Sequence, residues 1–251
     1  MTLLTAFYIL LLFIGLFIAQ EIFYRYPRFS FAFFTIGSII FFPCWVLLFG
    51  VEDWFAWLKV LSIAVGIILL SLFRTTRLGS SALVRYSTYA LLAVNIFEAV
   101  ARDVATGTIA NYLNALAGIL LIVTLERIDT IRITASKQKD LRWTSITMAW
   151  IIGYTIWNWV FVYLNFGLQS GLVHLAVLGS AFAVALVERE RWLQARLFTL
   201  GTFFMIFHSS PHIRTLLFNG DINETFGFFA SLIAAGFMVG YTFFFFRKRF
   251  R

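Results

Sequence analysis

The chain has 251 residues, of which 61% are hydrophobic and only 13% charged, whereas a water-soluble domain is nearer half apolar and a quarter charged. This excludes a soluble core and makes lipid the solvent for most of the chain. The net charge of +8 does not mark a nucleic-acid groove, because Lys and Arg sit in short connections between apolar runs.

The first apolar run, residues 3–23, lacks a basic n-region and is long enough to span a bilayer, so it reads as a retained first helix. Eight more runs follow at 29–50, 54–73, 83–102, 108–126, 143–164, 170–187, 193–217 and 224–246. Each is close to the ~20 residues that a spanning helix needs. The fold expected is therefore all-α: a polytopic transmembrane helical bundle of about nine spans forming one integral membrane domain over 1–251. Of the 20 Lys and Arg, all but Lys59, Arg102 and Arg214 fall on one side of that scheme. The positive-inside rule makes that side cytoplasmic and predicts an N-outside, C-inside chain. A bacterial inner (plasma) membrane is the expected location, with the lipid bilayer as the first partner and no nucleic acid.

Residues 127–142, "RIDTIRITASKQKDLR", form the one long polar connection and read as a cytoplasmic link, with a surface helix as one option. The link separates halves 29–126 and 143–246. Faint matches between them ("WVLLFG" with "WVFVYL", "NIFE" with "MIFH") suggest a parallel 4+4 repeat added to the first helix.

Cys44 is the single cysteine, which excludes an intrachain disulfide and a Cys/His zinc knuckle. No Walker loop, nucleophile elbow or dinucleotide fingerprint appears in a workable context, and no cofactor is expected.

The polar residues inside the apolar runs share a depth. At ~1.5 Å per helical residue, Asn95, Glu98, Arg102, Asn111, Asn114, Trp157, Asn158 and His208 fall ~14–26 Å from the cytoplasmic side. Lys59 and His174 lie a turn or so below the outer surface. Ionisable groups at such depth face a bundle interior or a watery cavity. Asn95, Glu98 and Arg102 share one helix face, and Glu98 and Arg102 are spaced to pair. Two readings stay open at this point: a pair that glues helices together, or a cavity in the outer half centred on Glu98. The substrate-binding candidates are Asn95, Glu98, Arg102, Asn111, Asn114, Trp157, Asn158, Asn165, His174 and His208. His208 and His212 form H-x-x-x-H, a spacing that can chelate a metal from one helix face, but Pro211 interrupts it. No metal is expected, and the fallback ligand set is Glu98, His208 and His212.

The runs "DWFAWLKVLSIAVG", "NIFEAVARD", "NALAGIL", "WIIGYTIWNWVFVYLN" and "RWLQARLFTL" resemble a bacterial family of multi-pass membrane proteins of unknown function. The resemblance spans roughly residues 50–210. It implies a bacterial integral membrane protein with "NIFEAVARD" and "WNWVFVYLN" as landmarks, and it brings no activity or catalytic residue. The residues themselves favour a transporter or binder of a small polar solute. The alternatives are a membrane-embedded enzyme acting on a lipid-type substrate through Glu98 with His208 and His212, and a non-catalytic assembly partner.

Overall fold

The computed structural model describes residues 3–49, 54–209 and 221–249. Within them lie eight α-helices: α1 (Leu3–Arg25), α2 (Pro27–Phe49), α3 (Trp54–Thr75), α4 (Leu83–Thr106), α5 (Ile109–Val123), α6 (Met148–Val187), α7 (Trp192–Ser209) and α8 (Glu224–Arg249). The only strands among these residues are β1 (Ile131–Ile133) and β2 (Leu141–Trp143).

The helix ends follow local chemistry. Pro27 opens α2, where its missing N–H costs nothing. Thr108 Oγ1 accepts from the Asn111 N–H and Thr147 Oγ1 from the Trp150 N–H, capping α5 and α6. Basic residues close α1, α3 and α8, which suits the negative pole of each helix.

The pattern of exposure is inside-out. Leu4, Phe7, Ile39, Phe229, Ile233, Phe243 and Phe244 stand exposed along the helices, while Ser30, Ser71, Arg74, Asp103 and Asn114 are fully buried. Water would penalise such a surface, whereas hydrocarbon matches it and forces polar groups inward to find partners. The helices α1, α6 and α8, with the stretch 57–75 of α3, are long and apolar enough to cross a bilayer; 27–41 and α5 are shorter apolar helices. The chain is a multi-helix membrane protein.

Helix α6 accounts for two of the expected runs, 143–164 and 170–187. At Gly167 the backbone takes φ 85° and ψ 177°, a conformation open essentially to glycine alone. The chain folds back there: Trp159 Nε1 donates to the Gly171 carbonyl at 2.9 Å, and Asn158 meets His174 at 2.7 Å. In an unbroken helix Asn158 and His174 would stand ~24 Å apart. Trp143, expected at the start of a span, belongs instead to β2, because Thr147 caps the helix that follows.

The link 127–142 is not a surface helix. It carries a β-hairpin with Ile131 opposite Trp143 and Ile133 opposite Leu141. The alternation in "IRI" and "LRW" has the period of two that a half-buried strand requires: Ile131, Leu141 and Trp143 are buried. On the other face Arg132 stands opposite Arg142. That repulsion is relieved by Glu188, 3.0 Å from Arg142, with Asp140 and Glu190 at 3.6 and 3.7 Å.

The hairpin is bolted to the bundle by buried Arg74. Its guanidinium donates to the carbonyls of Phe23 and Tyr24 at the end of α1 and to those of Gln138 and Lys139 in the hairpin loop. Four carbonyls, two of them at a helix C-terminus, compensate the buried charge. Gln194 of α7 accepts from the Leu141 N–H at 2.7 Å, and Trp143 Nε1 donates to the Arg127 carbonyl. These contacts define a basic face of the bundle.

Candidate functional site

Two polar nests lie inside the bundle. The first joins α3, α4, α6 and α7. Glu98 on α4 is 2% exposed and pairs with Lys59 on α3 at 2.8 Å. Lys59 Nζ also donates to the Asn95 carbonyl at 3.1 Å, and Ser62 Oγ donates to Glu98 at 3.1 Å. The spacing of Glu98 and Arg102 suggested that they pair. The structure gives the carboxylate to Lys59, which reaches it across the helix interface, while the Arg102 guanidinium lies 5.8 Å from the Phe55 ring centre.

Beside this pair stands Arg196 of α7, 3% exposed. It donates to Asn158 Oδ1 at 3.2 Å and lies 3.4 Å from His174 Nε2, while Asn158 and His174 meet at 2.7 Å. Arg196 also lies 5.9 Å from the Tyr154 ring centre. His174 is within electrostatic reach of both Arg196 and Lys59.

A cavity of about 50 Å³ opens between these groups, with Ser62, Asn95, Tyr154 and Arg196 at its polar end. Below them its wall is apolar except for Thr88 and runs through Leu69, Leu70, Phe73 and Leu193 to Leu141 of the hairpin. It therefore extends from the charged layer toward the basic face, whereas the depth pattern pointed to the opposite half. Glu98 stands at its edge behind Ser62. The volume admits about three or four water-sized groups, and the polar end supplies the partners they need.

The second nest surrounds Asp103, which is fully buried. Asn111 and Asn165 donate to Oδ1 at 2.8 and 2.7 Å, and Asn114 donates to Oδ2 at 2.7 Å. Thr108 and Thr106 then donate to the side-chain oxygens of Asn111 and Asn165. This cage ties α4, α5 and α6 together near the α4–α5 turn. Three amide donors stabilise the carboxylate, which has no cation paired with it among the described residues. Trp157, fully buried, is a packing wall: at Gly118 an added Cβ would come within 2.8 Å of its Nε1 and 2.5 Å of Val100, so α5 approaches this closely only because position 118 is glycine.

The expected site residues are thus divided. Asn95, Glu98, Asn158 and His174 join the first nest; Asn111, Asn114 and Asn165 join the second; Arg102 and Trp157 stand beside aromatic and small-residue contacts. The side chain of His208 and all of His212 lie outside the described residues. Among the described residues no group of three His, Cys, Asp or Glu is arranged to hold a metal ion. Sequence reasoning missed three participants. Lys59 was noted for depth but given no partner. Arg196 was counted with the basic connections, although it lies inside an apolar run one turn past Trp192. Asp103 falls one residue past the expected span 83–102 and was given no role.

A family model for a family of unknown function, DUF5692, matches residues 1–250. The chain belongs to that family. No curated protein and no solved structure matches the chain. The DUF5692 match covers both nests, the hairpin and every helix, well beyond the 50–210 stretch on which the resemblance rested.

Proposed function

We propose that the protein binds a small polar solute inside the membrane, as a carrier or receptor does, with the Lys59–Glu98–Arg196 layer as its site. The observation that carries this reading is the cavity whose polar end is formed by Ser62, Asn95 and Arg196 within a bundle otherwise packed for lipid. Polar groups used only to hold helices together fill the space between them, as the Asp103 cage does.

In this reading nine helical crossings, with α6 contributing two, place the hairpin and the basic helix ends in the cytoplasm of a bacterial cell and the N-terminus outside. The cavity then faces the cytoplasm, with the hairpin beneath it. The Lys59–Glu98 pair lies ~20 Å from that side, and Arg196, one turn into α7, lies nearer to it, so a solute held by Arg196 enters from the cytoplasmic half.

The test uses purified protein in detergent and a panel of small polar solutes, read by thermal unfolding. A ligand that binds only the folded state raises the midpoint in a concentration-dependent way. Gly66 lines the cavity, and Gly66→Leu fills it from an apolar helix. At least one solute is expected to stabilise the wild type and leave Gly66→Leu unchanged. If every solute acts equally on both proteins, the cavity is not the site.

A further inference from the structure

From the charges at the cavity we infer that the solute is a small carboxylate, held by Arg196. The inference rests on the cavity being a solute site, as proposed above. Lys59 has Glu98 as its counter-ion. Arg196 has only neutral partners among the described residues, Asn158, His174 and the Tyr154 ring, and its Nε and Nη1 are buried with no hydrogen-bond partner. A guanidinium carries five donors in a fixed plane; Nε and Nη1 lie on different edges of it, so one carboxylate meets one of them, with Nη2 as the second prong of the fork. Burying it without an anion leaves both its charge and two donor positions uncompensated. Arg74, the other fully buried guanidinium described above, meets four carbonyls and faces no such deficit.

The rest of the cavity sets the body of the ligand. The apolar part of its lining includes Ile63, Leu70, Phe73, Leu92 and Leu200, and its volume is about 50 Å³. That space takes a carboxylate on a short aliphatic stem. Asn95 stands at the polar end as a further donor for the carboxylate, whereas the Ser62 hydroxyl already gives its one hydrogen to Glu98. The nearby Lys59–Glu98 pair keeps the net charge of the layer at one positive, so a single negative charge neutralises it.

Propionate and its neutral isostere propionamide separate the possibilities, with sodium chloride holding ionic strength constant. Propionate is expected to raise the unfolding midpoint of the wild type saturably. The response should vanish in Arg196→Gln and in Gly66→Leu, and propionamide should have no effect. Arg196→Lys, which keeps the charge but loses the fork, should raise the half-saturating propionate concentration about tenfold, the loss of one charge-assisted hydrogen bond; it serves as the second variant if Arg196→Gln does not fold. An undiminished propionate response in the Arg196 variants overturns the assignment. Equal stabilisation by propionamide, abolished by Gly66→Leu, overturns the carboxylate but leaves the solute site standing. A wild type indifferent to propionate overturns the inference, and the wider solute panel then decides the fate of the cavity.

Discussion

Glu98 and Lys59 form a buried pair whose removal from one side is expensive. Two charges taken out of water repay their desolvation only through each other and the surrounding hydrogen bonds. Lys59→Met should therefore cost about 3–5 kcal/mol by leaving Glu98 unmatched, and Lys59→Met with Glu98→Met together should recover much of that loss. A double-mutant cycle in a reversible detergent unfolding assay measures the coupling. It should be larger for Glu98 with Lys59 than for Glu98 with Arg102; the opposite order would contradict the geometry. The cost of Glu98 was legible in the sequence because a carboxylate deep inside the apolar run 83–102 has no cheap explanation. Its partner was not, because Lys59 is 39 residues away and only the packing of α3 on α4 brings the two to 2.8 Å. Arg196 was obscured by the same positive-inside count that orients the chain: an arginine one turn from a basic connection looks like part of it.

At the scale of elements, helix periods and caps were readable and reversals less so. The hairpin follows from alternation in two three-residue runs, too short to compete with a helical reading of a polar link. The fold-back at Gly167 falls in the gap between the expected runs 143–164 and 170–187, although only a glycine in that gap marks its pivot. Gly167→Ala should destabilise the protein by about 1–3 kcal/mol, since φ 85° with ψ 177° strains any side chain; thermal unfolding checks it, and an unchanged midpoint would mean the turn is made elsewhere. The hairpin anchorage should carry a pH signature. Burial pushes the Asp140 carboxyl above its ordinary value, and the pull of Arg191, Arg142 and Arg74 does not cancel that. The folded chain thus holds this proton more tightly than the unfolded chain. The carboxyl makes no difference to stability at pH below its unfolded value, and becomes a cost as pH rises through its folded value. Asp140→Asn removes that slope, so the variant should gain stability relative to wild type as pH rises above the ordinary Asp range of about 4. Parallel curves for the two proteins would show that Asp140 does not titrate in this way.

Over the whole molecule, composition and charge placement were enough to expect a bundle in lipid, and the exposed Leu, Ile and Phe surfaces agree with it. Orientation is open to direct measurement. With Cys44 replaced by Ser, a cysteine at exposed Ser136 in the hairpin loop should react with a membrane-impermeant maleimide only after cells are permeabilised. One at exposed Ala105, near the α4–α5 turn, should react in intact cells. The reverse pattern would invert the topology and move the cavity to the outer face. In the proposed reading the cavity beside Arg196 is an occupied, hydrated site rather than a packing flaw. An experimental structure in a lipid nanodisc, at a resolution that shows ordered water, tests it most directly. The account predicts non-protein density within hydrogen-bond distance of Arg196 Nε or Nη1, bridging toward Ser62 or Asn95; a dry cavity closed around a bare guanidinium would contradict it.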